Sequence, residues 1–280
     1  MSSTASIIPF SKTLIEWKGP FSFIQMADCQ LGFFENDESW DKEKDLLTKA
    51  VDKINALNPR FVVLCGDITN ARPEHPKYSA QVDDYKKIVS KIHSHISLLC
   101  LCGNHDIGDR PTHKSIQAFE KNYGPHFFNF WVDGVHCIAL NSSLIKDPTD
   151  AQDLNQQQEG WLRQELEEAG RMHPKHSFVF SHHSWFLVNT DAEDSHFNIP
   201  KEKRLKFLDL FQKMRVTACF AGHYHANAYG KYGNIEVITT GATGRPLWGD
   251  VSGLRIVNVK ENGITHSYCP LESDRLNQSS

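Results

Sequence analysis

Residues 61–67 read Phe-Val-Val-Leu-Cys-Gly-Asp, a short apolar run that stops on Gly66-Asp67. A run this short, without alternating polar residues, predicts a strand buried on both faces rather than a helix. Its consequence is a carboxylate delivered at the C-terminal end of a buried strand. The same arrangement recurs on either side. Upstream, FSFIQMA over residues 21–27 ends at Asp28, and Leu46, Ala50, Ile54 and Leu57 then repeat at helical spacing before Asn58-Pro59. Strand, helix and strand make a βαβ opening. Downstream, a helix is expected over residues 83–95, and residues 97–102 (SLLCLC) form a third buried strand that runs into Gly103-Asn104-His105-Asp106. Open α/β sheets place ligands outside the C-terminal ends of their strands, so these polar clusters mark the candidate site.

The rest of the chain repeats the theme. A helix over residues 115–123 leads to alternating strands over 127–132 and 136–140, with Asp133-Gly134 as a tight hairpin between them. Asn155 is expected to cap a helix, with Gln158 three positions on and Trp161, Leu162 and Leu166 as its apolar stripe. Residues 177–180 form a strand ending at Ser181-His182-His183, followed by a loop over 184–200 that carries Trp185, Phe186 and Phe197 among acidic residues. Leu205, Leu208 and Phe211 mark a helix, and residues 216–221 a strand ending in Gly222-His223-Tyr224-His225. Strands over 235–240, 254–259 and 264–268 complete the pattern. No repeat or low-complexity block interrupts it, so the reading is a single α/β domain over residues 19–271, between a polar leader (1–18) and a loose tail (272–280).

Composition narrows the partners. Lys and Arg total 30 against 34 Asp and Glu, a formal net charge of -4, so no global positive field exists to hold nucleic acid. The seven cysteines are odd in number and sit mostly in apolar, strand-like runs, which reads as reduced core thiols in a cytoplasmic protein. No stretch supplies the ~18 uncharged apolar residues of a membrane span, so no membrane association is expected.

Asp28 with Gln30, Asp67, Asn104 with His105, His182, and His223 with His225 all fall at strand ends. Any one of them alone reads as a turn or cap residue; their repetition argues for a metal centre. Carboxylate and imidazole bind divalent cations at neutral pH, and amide oxygens add neutral donors. Asp67 lies near the middle of the set and its two oxygens suit a bridge between two ions. His223 and His225 share a face if the chain there stays extended, as two ions about 3.5–4 Å apart would require. Gly66, Gly103 and Gly222 precede the polar groups where close backbone approach is expected. His183 should face away from His182, His126 and His196 read as surface histidines, and Arg245 as a solvated turn residue.

The ordered set Asp28-x-Gln30, Gly66-Asp67, Gly103-Asn104-His105-Asp106, His182 and Gly222-His223-x-His225 resembles the calcineurin-like metallophosphoesterases. The resemblance implies a four-layer α/β fold in which two facing β-sheets are flanked by helices. It also implies two divalent ions (Mn, Fe, Zn or Mg), one held by Asp28, Gln30, Asp67 and His225, the other by Asp67, Asn104, His182 and His223. His105 would be the unliganded acid beside the leaving group. Two such cations lower the pKa of a shared water, orient it for in-line attack and neutralise phosphate oxygens; His105 then donates to the departing oxygen.

Two departures qualify the resemblance. Gln30 stands where most members have His, which gives the first ion a weaker donor. After Gly66-Asp67 the chain continues Ile68-Thr69-Asn70-Ala71-Arg72 instead of the Asp-Arg-Gly of the protein-phosphatase branch, so substrate arginines are not assigned. The leading expectation is a phosphomonoesterase acting on phosphoserine or phosphothreonine proteins. A diesterase acting on a cyclic nucleotide or another small diester, and a scaffold with a weakened metal site, are the alternatives.

Overall fold

A computed structural model describes residues 16–272; the polar leader before Glu16 and the tail beyond Glu272 lie outside the described residues. The first half of the chain contains β1 (Phe21–Met26), α1 (Asp41–Leu57), β2 (Phe61–Cys65), α2 (Tyr78–Val89), β3 (Ser97–Leu101), α3 (Asn104–Ile107), α4 (His113–Tyr123), β4 (Phe128–Val132) and β5 (Val135–Ala139). The second contains α5 (Ser142–Lys146), α6 (Gln152–Met172), β6 (His176–Phe180), α7 (Lys201–Lys213), β7 (Ala218–Ala221), β8 (Ala228–Tyr232), β9 (Ile235–Thr239), β10 (Gly253–Lys260) and β11 (Gly263–Pro270).

These strands build two mixed sheets, ordered β11-β10-β1-β2-β3 and β4-β5-β6-β7-β9-β8. In the first, β1, β2 and β3 run parallel while β10 and β11 are antiparallel; in the second, β5, β6, β7 and β9 run parallel and β4 and β8 close the edges antiparallel.

Period-two alternation sorts each strand between two apolar layers. Phe23, Phe61, Val63, Cys65, Phe178, Phe180 and Phe220 point between the sheets and pack as one core. The alternate residues Ile24, Val62 and Leu64 turn outward onto α1, α2 and α4, and Ile138, Val179, Cys219 and Val237 turn outward onto α6 and α7. Helices, sheet, sheet, helices are the four expected layers. Phe23 stacks on Phe61 at 4.8 Å and Phe180 on Phe220 at 5.2 Å, so ring packing sets the spacing of the central layer.

Asp133 and Gly134 both adopt positive φ, 47° and 84°, which is the tight hairpin expected there. Asn155 is not a cap: α6 starts at Gln152, fed by a turn in which Ala151 N–H donates to the Pro148 carbonyl, and Asn155 lies inside the helix bonded to Glu159. Gln158 instead brackets the backbone of Asn141, accepting from its N–H at 2.7 Å and donating to its carbonyl at 3.1 Å. The helix expected over 83–95 begins at Tyr78 and ends at Val89. Trp185 and Phe186, expected in the loop over 184–200, are wholly buried in the core beneath α7.

Candidate metal centre

The C-terminal ends of β1, β2, β3, β6 and β7 meet along one edge of the facing sheets and deliver Asp28, Asp67, Asn104, His182 and His223. Backbone pairing continues past the strands: Asp28 N–H donates to the Gly66 carbonyl at 3.0 Å and Gln30 N–H to the Asp67 carbonyl at 2.9 Å. Asp28, Gln30, Asp67, His223 and His225 all sit at positive φ, between 39° and 67°. Non-glycine residues rarely hold this conformation, and it costs about 1–3 kcal/mol each. The strain turns side chains that would follow the strand into a common centre. His223 and His225 therefore do not lie on extended chain; two left-handed residues around Tyr224 bring them together.

The ring nitrogens, carboxylate oxygens and their distances define two donor groups. Asp67, His182 and His223 place ligand atoms within 4.8 Å of one another, as do Asp28, Asp67 and His225. Asp67 belongs to both. His182 Nε2 faces Asn104 Oδ1 and His223 Nδ1 at 3.0 Å and Asp67 Oδ2 at 3.4 Å. His225 Nε2 lies 3.5 Å from Asp28 Oδ1.

Each histidine spends its other ring nitrogen on a backbone carbonyl. His182 Nδ1 donates to Cys65 at 2.8 Å, His223 Nε2 to His196 at 3.0 Å and His225 Nδ1 to Arg245 at 2.7 Å. Those bonds fix the tautomers with the remaining lone pairs inward, the arrangement that orients metal-binding imidazoles.

Three further observations show that the residues fit a pair of divalent cations. Asp28 and Asp67 are buried together at 0% and 1% exposure, a placement that compensating positive charge stabilises in the ionised form. Gln30, also buried, anchors its Nε2 on Asn70 at 3.3 Å and leaves Oε1 with no hydrogen-bond partner. The glycines press the donors together: a Cβ on Gly103 would stand 2.1 Å from Asp67 Oδ1, and one on Gly222 2.7 Å from Asp28 Oδ2.

The electrostatics follow from burial. Burial pushes the Asp28 carboxyl up, whereas at Asp67 burial is outweighed by His182 and His105, which hold it well below the usual carboxylate range. Burial alone would lower His182, but Asp67, Asp28 and the Cys65 carbonyl hold it up at about 9. Burial and the neighbouring His182 keep His223 well below its ordinary value.

The sequence matches the calcineurin-like phosphoesterase family over residues 21–227. This chain belongs to that family. It is 39% identical over 268 residues to a bovine (Bos taurus) protein named serine/threonine-protein phosphatase CPPED1, covering 92% of this chain and 86% of that one. The human (Homo sapiens) protein of the same name is 38% identical over 269 residues, with 92% and 86% covered. Among solved structures, a purple acid phosphatase from yellow lupin (Lupinus luteus) superposes with a TM-score of 0.66 at 13% identity, covering 92% of this chain and 52% of that one. A dimetal phosphatase from Danio rerio gives 0.57 at 18% identity, covering 88% and 98%. These structures share the fold.

Family membership makes the chain a metallophosphoesterase, and the paired donor groups are positioned for two divalent ions. His105 lies beside them, half-buried, its backbone N–H on Asp67 Oδ1 at 2.8 Å and its Nδ1 3.3 Å from the Asn70 carbonyl. Asp106 is not its partner. Instead that carboxylate accepts the N–H groups of Asp67, Ile68 and Gly103 at 2.8–3.0 Å, stitching two strand ends together. Burial and Asp67 push its carboxyl up to about 7.

Other expected assignments change. Arg245 is half-buried rather than fully solvated: its guanidinium lies 5.2 Å from the Phe33 ring centre and 5.8 Å from Phe34, and donates to the Phe33 carbonyl. His126 is buried, bonded to Asn141. His183 is buried too and packs 4.3 Å from the His223 ring, its Nδ1 on Ser142. His196 is exposed as expected, yet its carbonyl orients His223, a role that no side-chain pattern signals. A cavity of about 650 Å³ lined by Phe34, Leu46, Pro246, Val251 and Pro270 borders Phe34 but includes none of the converging donors.

Proposed function

We propose that this chain is a two-metal phosphomonoesterase that removes phosphate from phosphoserine and phosphothreonine in proteins. The observation that carries this reading is the trio of carbonyl-anchored imidazoles around the shared Asp67 carboxylate. The substrate class is supported by 38–39% identity, over nearly the whole domain, to proteins named serine/threonine-protein phosphatase.

Asp28, Gln30, Asp67 and His225 would hold one cation, and Asp67, Asn104, His182 and His223 the other. When bound, such a pair supplies an activated water and neutralises charge on the phosphoryl oxygens. The chain's own residues do the rest. Asp67 fixes the spacing of the donor groups, and the Asp106 clasp on its backbone keeps it from drifting. Asn104 is held with Oδ1 inward because its Nδ2 donates to Asp109 at 3.1 Å. Water attacks phosphorus as the ester P–O bond breaks, and the departing alkoxide takes a proton. His105 would give it: its Nδ1 is directed at the Asn70 carbonyl at 3.3 Å, which leaves Nε2 as the ring nitrogen to donate to the leaving oxygen.

The seven free cysteines, six of them buried, suit a reducing compartment such as the cytoplasm. No helix among the described residues is long and apolar enough to cross a membrane.

The reading is tested by turnover of a phosphoserine peptide, glycerol phosphate, a cyclic nucleotide and a linear diester, each with Mn, Mg, Zn or Fe(II) and after chelation. Metal-dependent, reversible hydrolysis of the peptide above the diesters supports it. Preferred diester cleavage, or peptide turnover that survives verified metal removal, would overturn it.

A further inference from the structure

Among the exposed large apolar residues, Trp248 is set directly beside the metal centre, and it is 65% exposed. It is also held firmly. Its backbone has a φ of 58°, a strained value for a bulky residue. The indole N–H donates to the Tyr224 carbonyl at 3.2 Å, the ring stacks on Tyr224 at 5.9 Å and 21°, and Phe197 meets both rings edge-on at 5.2 and 5.9 Å. An exposed indole fixed by strain, a hydrogen bond and two ring contacts is a formed surface.

The platform is tied to the two histidines by the segments that orient them. The turn bearing Trp248 supplies the Arg245 carbonyl to His225 Nδ1 and docks through Leu247 N–H on the His225 carbonyl at 2.9 Å. The loop bearing Phe197 supplies the His196 carbonyl to His223, and Phe197 itself lies 5.8 Å from the His223 ring. Tyr224 stands between the two histidines. Phe33 stands 5.2 Å from the His225 ring and Phe197 5.8 Å from the His223 ring, so aromatic side chains flank the donor set on both sides.

We propose that Phe197, Tyr224 and Trp248 form a subsite for an aromatic side chain two residues from the phosphorylated serine or threonine. This rests on the phosphoprotein reading above. In extended chain, side chains two apart point the same way and are separated by about 6.6 Å, whereas adjacent ones point oppositely. A phosphoserine directed at the donor set therefore presents its second neighbour, and not its first, to the same face of the protein, the face that carries these rings.

The test uses the metal-loaded protein and phosphoserine peptides carrying Trp or Ala at the −2, −1, +1 and +2 positions. Trp at −2 or +2 is expected to raise kcat/KM about fivefold over Ala, as a ring stack would. Trp248→Ala should collapse that ratio toward one, and Trp248→Phe should retain most of it. Matched peptides with a non-hydrolysable phosphonate, titrated calorimetrically, read the same preference as affinity even if the chain turns over no monoester, so failure of the subsite is distinguishable from failure of the phosphatase reading. A preference confined to −1 or +1, no preference, or a Trp248→Ala variant that lowers Trp and Ala peptides equally would overturn the proposal.

Discussion

At the scale of single residues, the centre is a set of strained positions that cations and hydrogen bonds make worth holding. Asp67 is the most connected of them. It belongs to both donor groups, receives the His105 N–H and has its own N–H clasped by Asp106. Asp67→Asn keeps the shape and removes the charge, and turnover is expected to fall by more than about 100-fold, beyond what loss of an outer hydrogen bond to a ligand costs. Asp153→Asn at the exposed start of α6 should leave turnover unchanged. Metal analysis checks the cause: Asp67→Asn should lower occupancy at both positions, and full occupancy with near-normal turnover would remove Asp67 as the bridge. Gln30 makes a subtler prediction. Its buried Oε1 lacks a partner while Asn70 fixes the amide, so Gln30→Ala should weaken binding of the first ion and Gln30→His should tighten zinc or iron there, imidazole being the stronger donor. Calorimetric titration of both variants beside the parent decides; unchanged affinity in both would show that residue 30 does not touch the ion.

At the scale of elements, the loop between β6 and α7 acts on the centre from outside it. Ser184 pairs with Asn198 and Ile199 N–H returns to the Ser184 carbonyl at 2.9 Å, which closes the segment into a compact loop. Arg204 of α7 is wholly buried against it, donating to the carbonyls of Thr190, Ala192 and Ile199. From the other side Lys146 of α5 donates to the His196 carbonyl, the acceptor of His223. Arg204→Met strands the buried Ile199 carbonyl and the part-buried carbonyls of Thr190 and Ala192, removes the pairing with Asp194 at 3.4 Å, and is expected to cost about 2–4 kcal/mol. Through the released loop it should weaken cation binding at the Asp67, His182 and His223 group by about tenfold, with Arg204→Lys recovering part of both. Thermal denaturation read beside metal titration separates the roles, because a stability loss with unchanged metal affinity would confine Arg204 to structure. This element also marks where the sequence was and was not legible. Buried strands ending in Asp, Asn-His or His were readable because apolar runs and polar stops are side-chain patterns. The edge strand β8, with its weak Ala-Tyr-Gly-Lys-Tyr pattern, and the short serine-led α5 were not. The Asp106 clasp and the carbonyls of Cys65, His196 and Arg245 were equally silent, since backbone partners leave no signature in residue type.

At the scale of the whole molecule, two sheets bury a phenylalanine-rich layer and each backs onto helices, so polar groups inside must be neutral or matched. His136 on β5 meets that condition by staying neutral. It is wholly buried, its ring lies 4.8 Å from Trp131, neither ring nitrogen has a hydrogen-bond partner, and burial pushes its pKa down to about 4. In the unfolded chain the same imidazole titrates near about 6.5. The native state thus refuses a proton that the unfolded state accepts, so stability from this group is fully present above pH ~6.5 and is lost progressively as pH falls toward ~4, at up to about 1.4 kcal/mol per pH unit. His136→Phe preserves a flat apolar ring beside Trp131 and removes the titration. Urea unfolding of parent and variant at pH 7.5 and pH 5 isolates the effect, because the donor-set histidines titrate in both proteins and cancel in the difference. The variant is expected to lose about 2 kcal/mol less than the parent between the two pH values. An equal loss in both would mean that His136 finds a proton-accepting partner in solution and that the acid sensitivity of the fold arises elsewhere.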